Sequence, residues 1–349
     1  MTMEFRTLGR TDLKVSLICL GTMTFGQQNT ESDAHEQLDY ALSQGVNFLD
    51  TAEMYAVPPT AESYGKTETF IGTWLKKTGK RKDVIIATKV AGPAPGMPWV
   101  RGGTSGLNRA GITAAVEGSL KRLQTDYIDL YQTHWPQRPV NSFGKMGYDQ
   151  TAVSGREHDE IRETLETMQD LIKAGKIRHV GVSNETPWGV GTHLRHADSG
   201  LPRIVSIQNP YSFLNRTFEI GLSEVAIQEN VGLLAYAPLG AGTLSGKYLN
   251  GQVPAGTRWA IDARVSRYKR PRLDEAVTAY MGIAKKHGLD VTQMALAFVN
   301  MQSFVTSTII GATTMEQLKS NIASIGVKLS AEVVQDINAA HAVTPNPCP

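Results

Sequence analysis

"VNFLDTAEMYA", residues 46–56, contains the change of character on which the fold turns. Asn47-Phe48-Leu49, entered through the Gly45-Val46 turn, reads as a short buried strand. At Asp50 the apolar run stops, and five residues later the loop carries Tyr55. A strand that ends by handing a carboxylate and a phenol to one loop suits a parallel barrel, where sites gather at the strands' C-terminal ends.

Working outward, the same kind of run recurs as "LICLG" (17–21), "VIIATK" (84–89), "YIDLYQTH" (127–134), "IRHVGVS" (177–183), "IVSIQN" (204–209), "VGLLAYAP" (231–238) and "STIIGA" (307–312). With "VNFLD" (46–50) that makes eight runs, nearly continuous in apolar character, as expected of strands covered on both faces. Amphipathic segments separate them. "SDAHEQLDYALSQG" (32–45) places Ala34, Leu38, Ala41 and Leu42 at helical spacing, with Ser32 or Asp33 as N-cap and Gly45 at its end. "GITAAVEGSLKRLQ" (111–124) and "ETLETMQDLIKAGK" (163–176) behave likewise.

Eight strand–helix repeats favour an α/β fold of the (β/α)8 TIM-barrel type over an open doubly wound sheet, although the two share this periodicity. The head, "EFRTLGRTDLKVS", predicts an N-terminal hairpin turning at Gly9-Arg10, and the tail from Ser330 predicts an extra C-terminal helix. No linker-like stretch interrupts residues 1–349, so one domain is expected. The connections after the third, fourth and seventh strands (90–108, 135–159 and 239–270) are longer than the usual turns of roughly 2–6 residues. All three fall at the functional end of the barrel.

Composition narrows the setting. Apolar residues at 41% and charged residues at 19% describe a globular chain, and a net charge of +2 gives no reason to expect nucleic acid or an anionic membrane as partner. Cys19 and Cys348 are too few for a disulfide framework or a thiolate metal site. "MTMEFRTLGR" lacks the apolar core of a signal peptide, and the uncharged stretch 294–315 is too polar for a membrane span. A cytoplasmic location is the expectation.

Asp50, Lys89 and His134 end the second, third and fourth strands, and Tyr55 follows the second by one turn. Singly, each has an ordinary explanation: a helix cap, a solvated lysine, a structural histidine, a packing tyrosine. Together on one rim they suit an acid catalyst. A phenol has a pKa of about 10, and a cation within about 4–6 Å lowers such a value by roughly 1–3 units. Lys89 is expected to supply that cation, Asp50 to anchor it, and His134 to orient a carbonyl oxygen or share the proton relay.

"NFLDTAEMY", "IIATKV" and "LYQTHWP" resemble the Asp, Lys and His motifs of the aldo-keto reductases, with Tyr55 at the family's spacing from Asp50. The resemblance runs almost end to end, through "GKIRHVGVSNET" and "LLAYAPLGAGTLSGKY" to "IIGATTMEQLKSNI". "YGKTETFIGTWL", "SLKRLQTDYIDLYQTHWPQRP" and "RIVSIQNPYS" most resemble the bacterial Tas-type branch. The resemblance implies an (α/β)8 barrel and a nicotinamide cofactor, usually NADPH, bound without a Rossmann domain. In keeping with this, "GAGTLSG" (240–246) is one residue out of register with the dinucleotide fingerprint.

The family positions imply cofactor contacts from Gly21, Thr22, Met23 and Asp50. Ser183, Asn184 and Gln208 would hydrogen-bond the nicotinamide carboxamide, and Tyr236 would stack on its ring. Ala237, Pro238, Leu239, Gly240, Gly242, Leu244 and Gly246 would form a loop crossing the pyrophosphate, with backbone N–H groups facing the anion. Gly311, Thr313, Gln317 and Asn321 would hold the adenosine end. One departure matters: some branches place a Lys and an Arg where Gly311 and Gln317 stand here. The 2′-phosphate of NADP(H) would then fall to Lys247, Arg258 or Arg264, in a loop whose glycines and cations suggest a mobile segment that closes over an anion.

The sequence thus predicts an NADP(H)-dependent reductase of aldehydes or ketones. Rival readings are a Schiff-base lyase using Lys89 as nucleophile and a cofactor-sensing regulatory partner protein on the same barrel. Trp99, Trp135, Phe143 and Tyr148 stand as candidates either for lining an apolar substrate pocket or for packing the long loops.

Overall fold

The computed structural model describes residues 2–103 and 105–349. An antiparallel hairpin, β1 (Phe5–Thr7) and β2 (Lys14–Ser16), precedes the barrel. Gly9 turns it at φ +56°, and a Cβ there would lie 2.6 Å from the Val205 carbonyl oxygen, so the turn presses on the barrel floor and requires glycine.

Eight parallel strands then close on themselves: β3 (Ile18–Gly21), β4 (Phe48–Asp50), β5 (Ile85–Val90), β6 (Ile128–Thr133), β7 (Ile177–Ser183), β8 (Ile204–Pro210), β9 (Gly232–Tyr236) and β10 (Val305–Ile310). Each pairs with the next, and β10 returns to β3. The predicted (β/α)8 barrel is therefore the fold. Side chains two apart on a strand share a face, so Phe48 and Asp50, Ala87 and Lys89, and Leu234 and Tyr236 form inward pairs, apolar below and polar above. Leu8, Val15, Cys19, Phe48, Ala87, Leu130, Leu234 and Ile309 fill the floor as one apolar cluster.

The helices form largely where expected, with small shifts of boundary. Helix Glu31–Ser43 is capped by Thr30, not by Ser32 or Asp33. The Thr30 hydroxyl accepts from the Asp33 N–H while the Asp33 carboxylate accepts from the Thr30 N–H, so Asp33 serves the cap from the third helical position. The helix expected from Glu163 already begins at Glu157, whose carboxylate accepts the Ser154 N–H at 2.6 Å. Helix Arg109–Leu123 starts on Asn108 as cap.

All three long connections are present. The one after β9 contains short helical turns and is followed by two helices, Leu273–Lys286 and Val291–Asn300, before β10. The first of these packs against the predicted C-terminal helix, Ala331–Val343. Among the described residues no helix is long and apolar enough to cross a membrane.

Candidate active site

The strand ends bring Asp50, Lys89, His134 and Tyr55 together. Parallel register sets Asp50 beside Ala87 and Lys89 beside Gln132, so Lys89 stands two residues above the level of the Asp50 carboxylate. Its ammonium donates to Asp50 Oδ2 at 2.7 Å and to the Thr51 carbonyl at 2.7 Å, and its side chain is 0% exposed. Gln208 Nε2 donates to the other Asp50 oxygen at 2.8 Å, so both carboxylate oxygens are engaged. The Lys89 ammonium lies 5.1 Å from the centroid of the Tyr55 ring, and the His134 ring meets Tyr55 edge-on at 5.5 Å. His134 sits one residue past β6, with its N–H still bonded to the Val90 carbonyl at 2.9 Å.

The electrostatics depart from the simple expectation in one respect. Burial raises the Tyr55 pKa and is the largest influence; Lys89 pulls it down, Asp50 pushes it up, and Arg258 pulls it down again. The net result is above an ordinary phenol rather than below it, because desolvation of a phenolate outweighs one cation that Asp50 already partly neutralises. Burial also opposes the charge of Lys89, yet Asp50 and then Tyr55 outweigh it and hold its pKa above the ordinary lysine value. Burial, then Lys89, then Arg264 drive the His134 pKa well below normal, so its imidazole is neutral. The site can therefore keep a proton on Tyr55, a charge on Lys89 and an uncharged ring beside both.

Ser183, Asn184, Gln208 and Tyr236 are gathered next to this group and already bond to one another. Ser183 Oγ donates to the Gln208 carbonyl at 2.7 Å. Asn184 Nδ2 donates to the His134 carbonyl at 2.8 Å, and Tyr236 donates to Asn184 Oδ1 at 2.7 Å. Asn184 takes a left-handed φ of +54°, which asparagine tolerates better than most residues. At the first strand end, the Thr22 hydroxyl donates to the Asp50 carbonyl at 2.8 Å, and the Met23 carbonyl accepts the Val57 N–H at 2.9 Å. A Cβ on Gly21 would lie 2.7 Å from the Ile309 side chain.

The loop after β9 corrects two expectations. The N–H groups of Gly240, Gly242, Leu244 and Gly246 donate to carbonyls of the loop's own turns (Ala237, Leu239 and Thr243), rather than standing open for an anion. Both flanks of the loop are also anchored, while residues 250–256 are exposed. Leu244, Tyr248, Trp259, Val265 and Tyr268 are buried, and the Tyr248 and Trp259 rings stack at 4.4 Å. Arg258 and Arg264 both pair with Asp262, at 2.9 Å each.

A nicotinamide dinucleotide needs cations for its phosphates, and the donors are present. Arg258 Nε and Nη1 are buried without a protein partner. The charge of Arg258 reaches Tyr55 and that of Arg264 reaches His134. Lys247 lies 5.3 Å from the Tyr248 ring centroid. Arg258 Nε and Nη1 are thus donors open to a phosphate, whereas the N–H groups of Gly240, Gly242, Leu244 and Gly246 are already bonded.

In the last segment, Gln317 Oε1 accepts from the Thr313 N–H at 2.9 Å, and Asn321 Nδ2 donates to the Gly311 carbonyl at 3.1 Å. These bonds shape the start of helix Met315–Ala323, with Gly311 itself exposed. Of the aromatic candidates, Trp135 is brought to the site: its ring lies 4.9 Å from His134, and Nε1 donates to the Pro93 carbonyl at 3.1 Å. Gly92 makes room for it, since a Cβ there would lie 2.5 Å from the indole. Trp99 is partly buried, its indole N–H without a partner. Phe143 and Tyr148 are half exposed, at 52% and 51%, and do not line a buried pocket.

Three contributors went unread in the sequence: Thr51, whose backbone oxygen shares the Lys89 charge; Asp262, which pins two arginines; and the buried pair of Glu53 with Arg101. Glu53 stands inside the opening motif and was the one with a visible signal, an acidic residue in an otherwise buried stretch. Arg138 and Glu185 form a further buried ion pair between the loops after β6 and β7.

A family model described as aldo/keto reductase matches residues 17–342. The chain is 53% identical to Protein tas of Escherichia coli, over 99% of this chain and 100% of that one. It is 35% identical to a Bacillus subtilis protein named Uncharacterized oxidoreductase YrpG, over 96% and 95% of the two chains. It is 28% identical to an Arabidopsis thaliana protein named Probable voltage-gated potassium channel subunit beta, over 93% and 92%. With the barrel, the strand-end group and a match across nearly its whole length, the chain belongs to the aldo/keto reductase family.

Proposed function

We propose that this protein reduces aldehyde or ketone carbonyls to alcohols with NADP(H), and that Tyr55 is the general acid. The observation that carries the reading is the buried Lys89–Asp50 pair set beneath Tyr55. A charged lysine in the barrel interior is costly unless it is paired, and its position favours a negative charge appearing on the neighbouring phenol. When bound, the nicotinamide supplies the hydride for the carbonyl carbon. Tyr55 holds its proton at neutral pH because burial raises its pKa, and releases it from Oη to the carbonyl oxygen. Lys89 stabilises the phenolate left behind. Asp50 and the Thr51 carbonyl fix Lys89, and neutral His134 orients the carbonyl oxygen by hydrogen bonding rather than by charge.

Ser183, Asn184, Gln208 and Tyr236 would hold the nicotinamide end. Lys247, Arg258 and Arg264 would take the phosphates, and Thr313, Gln317 and Asn321 would take the adenosine end. A Schiff-base lyase is disfavoured, since Lys89 would have to act as a free amine and is instead fully buried, paired and raised in pKa. The test is NADPH consumption with a panel of aldehydes and ketones. Turnover with at least one is expected. Tight NADPH binding with no turnover across the panel would favour the cofactor-sensing reading instead.

A further inference from the structure

The buried ion pair between Glu53 and Arg101 lies outside the group just described. Glu53 is 0% exposed and stands two residues before Tyr55. Its Oε1 accepts from Arg101 and, at 2.7 Å, from the Ala91 N–H; its Oε2 accepts from the Tyr64 hydroxyl at 3.4 Å. Arg101 reaches it from the long loop after β5, with a left-handed φ of +48°. The same guanidinium donates to the Ala91 carbonyl at 3.2 Å and the Gly106 carbonyl at 3.3 Å, tying both ends of that loop together. One side chain therefore joins the loop that carries Trp99 to the loop that carries Tyr55. A buried carboxylate and guanidinium are retained at high desolvation cost only in close geometry, so the contact fixes position sharply.

We infer that Glu53 is a positioning residue for Tyr55, acting through Arg101 to lock the two loops that frame the carbonyl site. This rests on the proposed carbonyl reductase reading. Glu53 bonds to Arg101, Ala91 and Tyr64 rather than to the Tyr55 hydroxyl, so it acts by placing the loops. Misplacing a reacting group by about 1 Å can cost about 10²-fold in rate.

The test compares Glu53→Gln, Arg101→Met and the conservative Arg101→Lys with the parent protein. Expected for Glu53→Gln and Arg101→Met is a kcat lower by about ten- to a hundredfold. KM for the carbonyl and Kd for NADPH should stay within about twofold, and the pH profile of kcat should keep its position while losing height. Arg101→Lys should recover part of the loss. Hydrogen exchange should quicken in segments 52–57 and 91–103 and stay unchanged in the barrel strands. That arm needs no turnover, so it still judges the lock if the parent protein reduces no carbonyl, a result that would count against the reductase reading alone. A kcat within twofold of the parent in both Glu53→Gln and Arg101→Met would overturn the inference. So would a kcat loss no larger than the loss of folded protein, or a pH profile displaced along the pH axis. If Glu53→Gln does not fold, Arg101→Lys and Arg101→Met carry the same comparison.

Discussion

The two mouths of the barrel are closed by opposite means. The lower mouth is plugged by the hairpin: Leu8 and Val15, both 0% exposed, sit on Phe48, Ala87 and Leu130. The upper mouth is almost as inaccessible, yet it buries Asp50, Lys89 and His134. Apolar closure stabilises through area removed from water and tolerates imprecision. Charged closure stabilises little and survives only where each charge is matched. A protein that needed only stability would close both ends as it closes the lower one. The strands show the division directly, since Phe48 and Asp50, or Ala87 and Lys89, lie two residues apart on one inward face and serve different ends.

The contrast can be broken from either side. Tyr55→Phe should lower kcat by a factor on the order of 10²–10⁴, about 2.7–5.4 kcal/mol of barrier, with stability and NADPH affinity little changed. Steady-state kinetics beside thermal unfolding will read it; near-normal turnover would remove Tyr55 from the role of acid. Leu8→Ala at the other mouth should do the reverse. A loss of about 2–5 kcal/mol of folding stability is expected from denaturant unfolding, with kcat of the folded protein retained. A large fall in kcat would mean that the floor is coupled to the site. Arg258→Ala should have the smallest effect, weakening NADPH binding by roughly 1.5–3 kcal/mol, the scale of hydrogen bonds to a charged group. NADH should lose much less if Arg258 contacts the 2′-phosphate. Equal losses in a fluorescence titration would assign it to the shared pyrophosphate.

What the sequence made legible follows the same division. The eight strands, the hairpin, the terminal helix and the rim residues are local patterns: nearly continuous apolar runs, a Gly turn, side chains at run ends. Cap positions were less legible because Thr30 and Asp33 share one cap, and either alone could serve it. The direction of the Tyr55 shift was hidden because it depends on how deeply the phenol is covered, a tertiary quantity, and not on which residues stand nearby. The glycine-rich loop misled for a related reason. Its composition suggests open N–H groups, whereas turn bonds consume them, and the buried stack of Tyr248 on Trp259 anchors part of the loop. The Glu53–Arg101 contact joins positions 48 residues apart, and no spacing rule connects them.

The central claim is that Lys89 governs the proton on Tyr55, and the most direct measurement is the pH dependence of alcohol oxidation at saturating cofactor. In that direction Tyr55 must lose its proton, so the rate rises with pH and reaches half its plateau at the phenol's pKa. Lys89 favours the phenolate, so its removal raises that pKa. Lys89→Met is expected to move the half-plateau point to higher pH, or beyond the range the protein survives, with a reduced maximal rate. An unchanged half-plateau point with full activity would contradict the account and leave Lys89 a bystander.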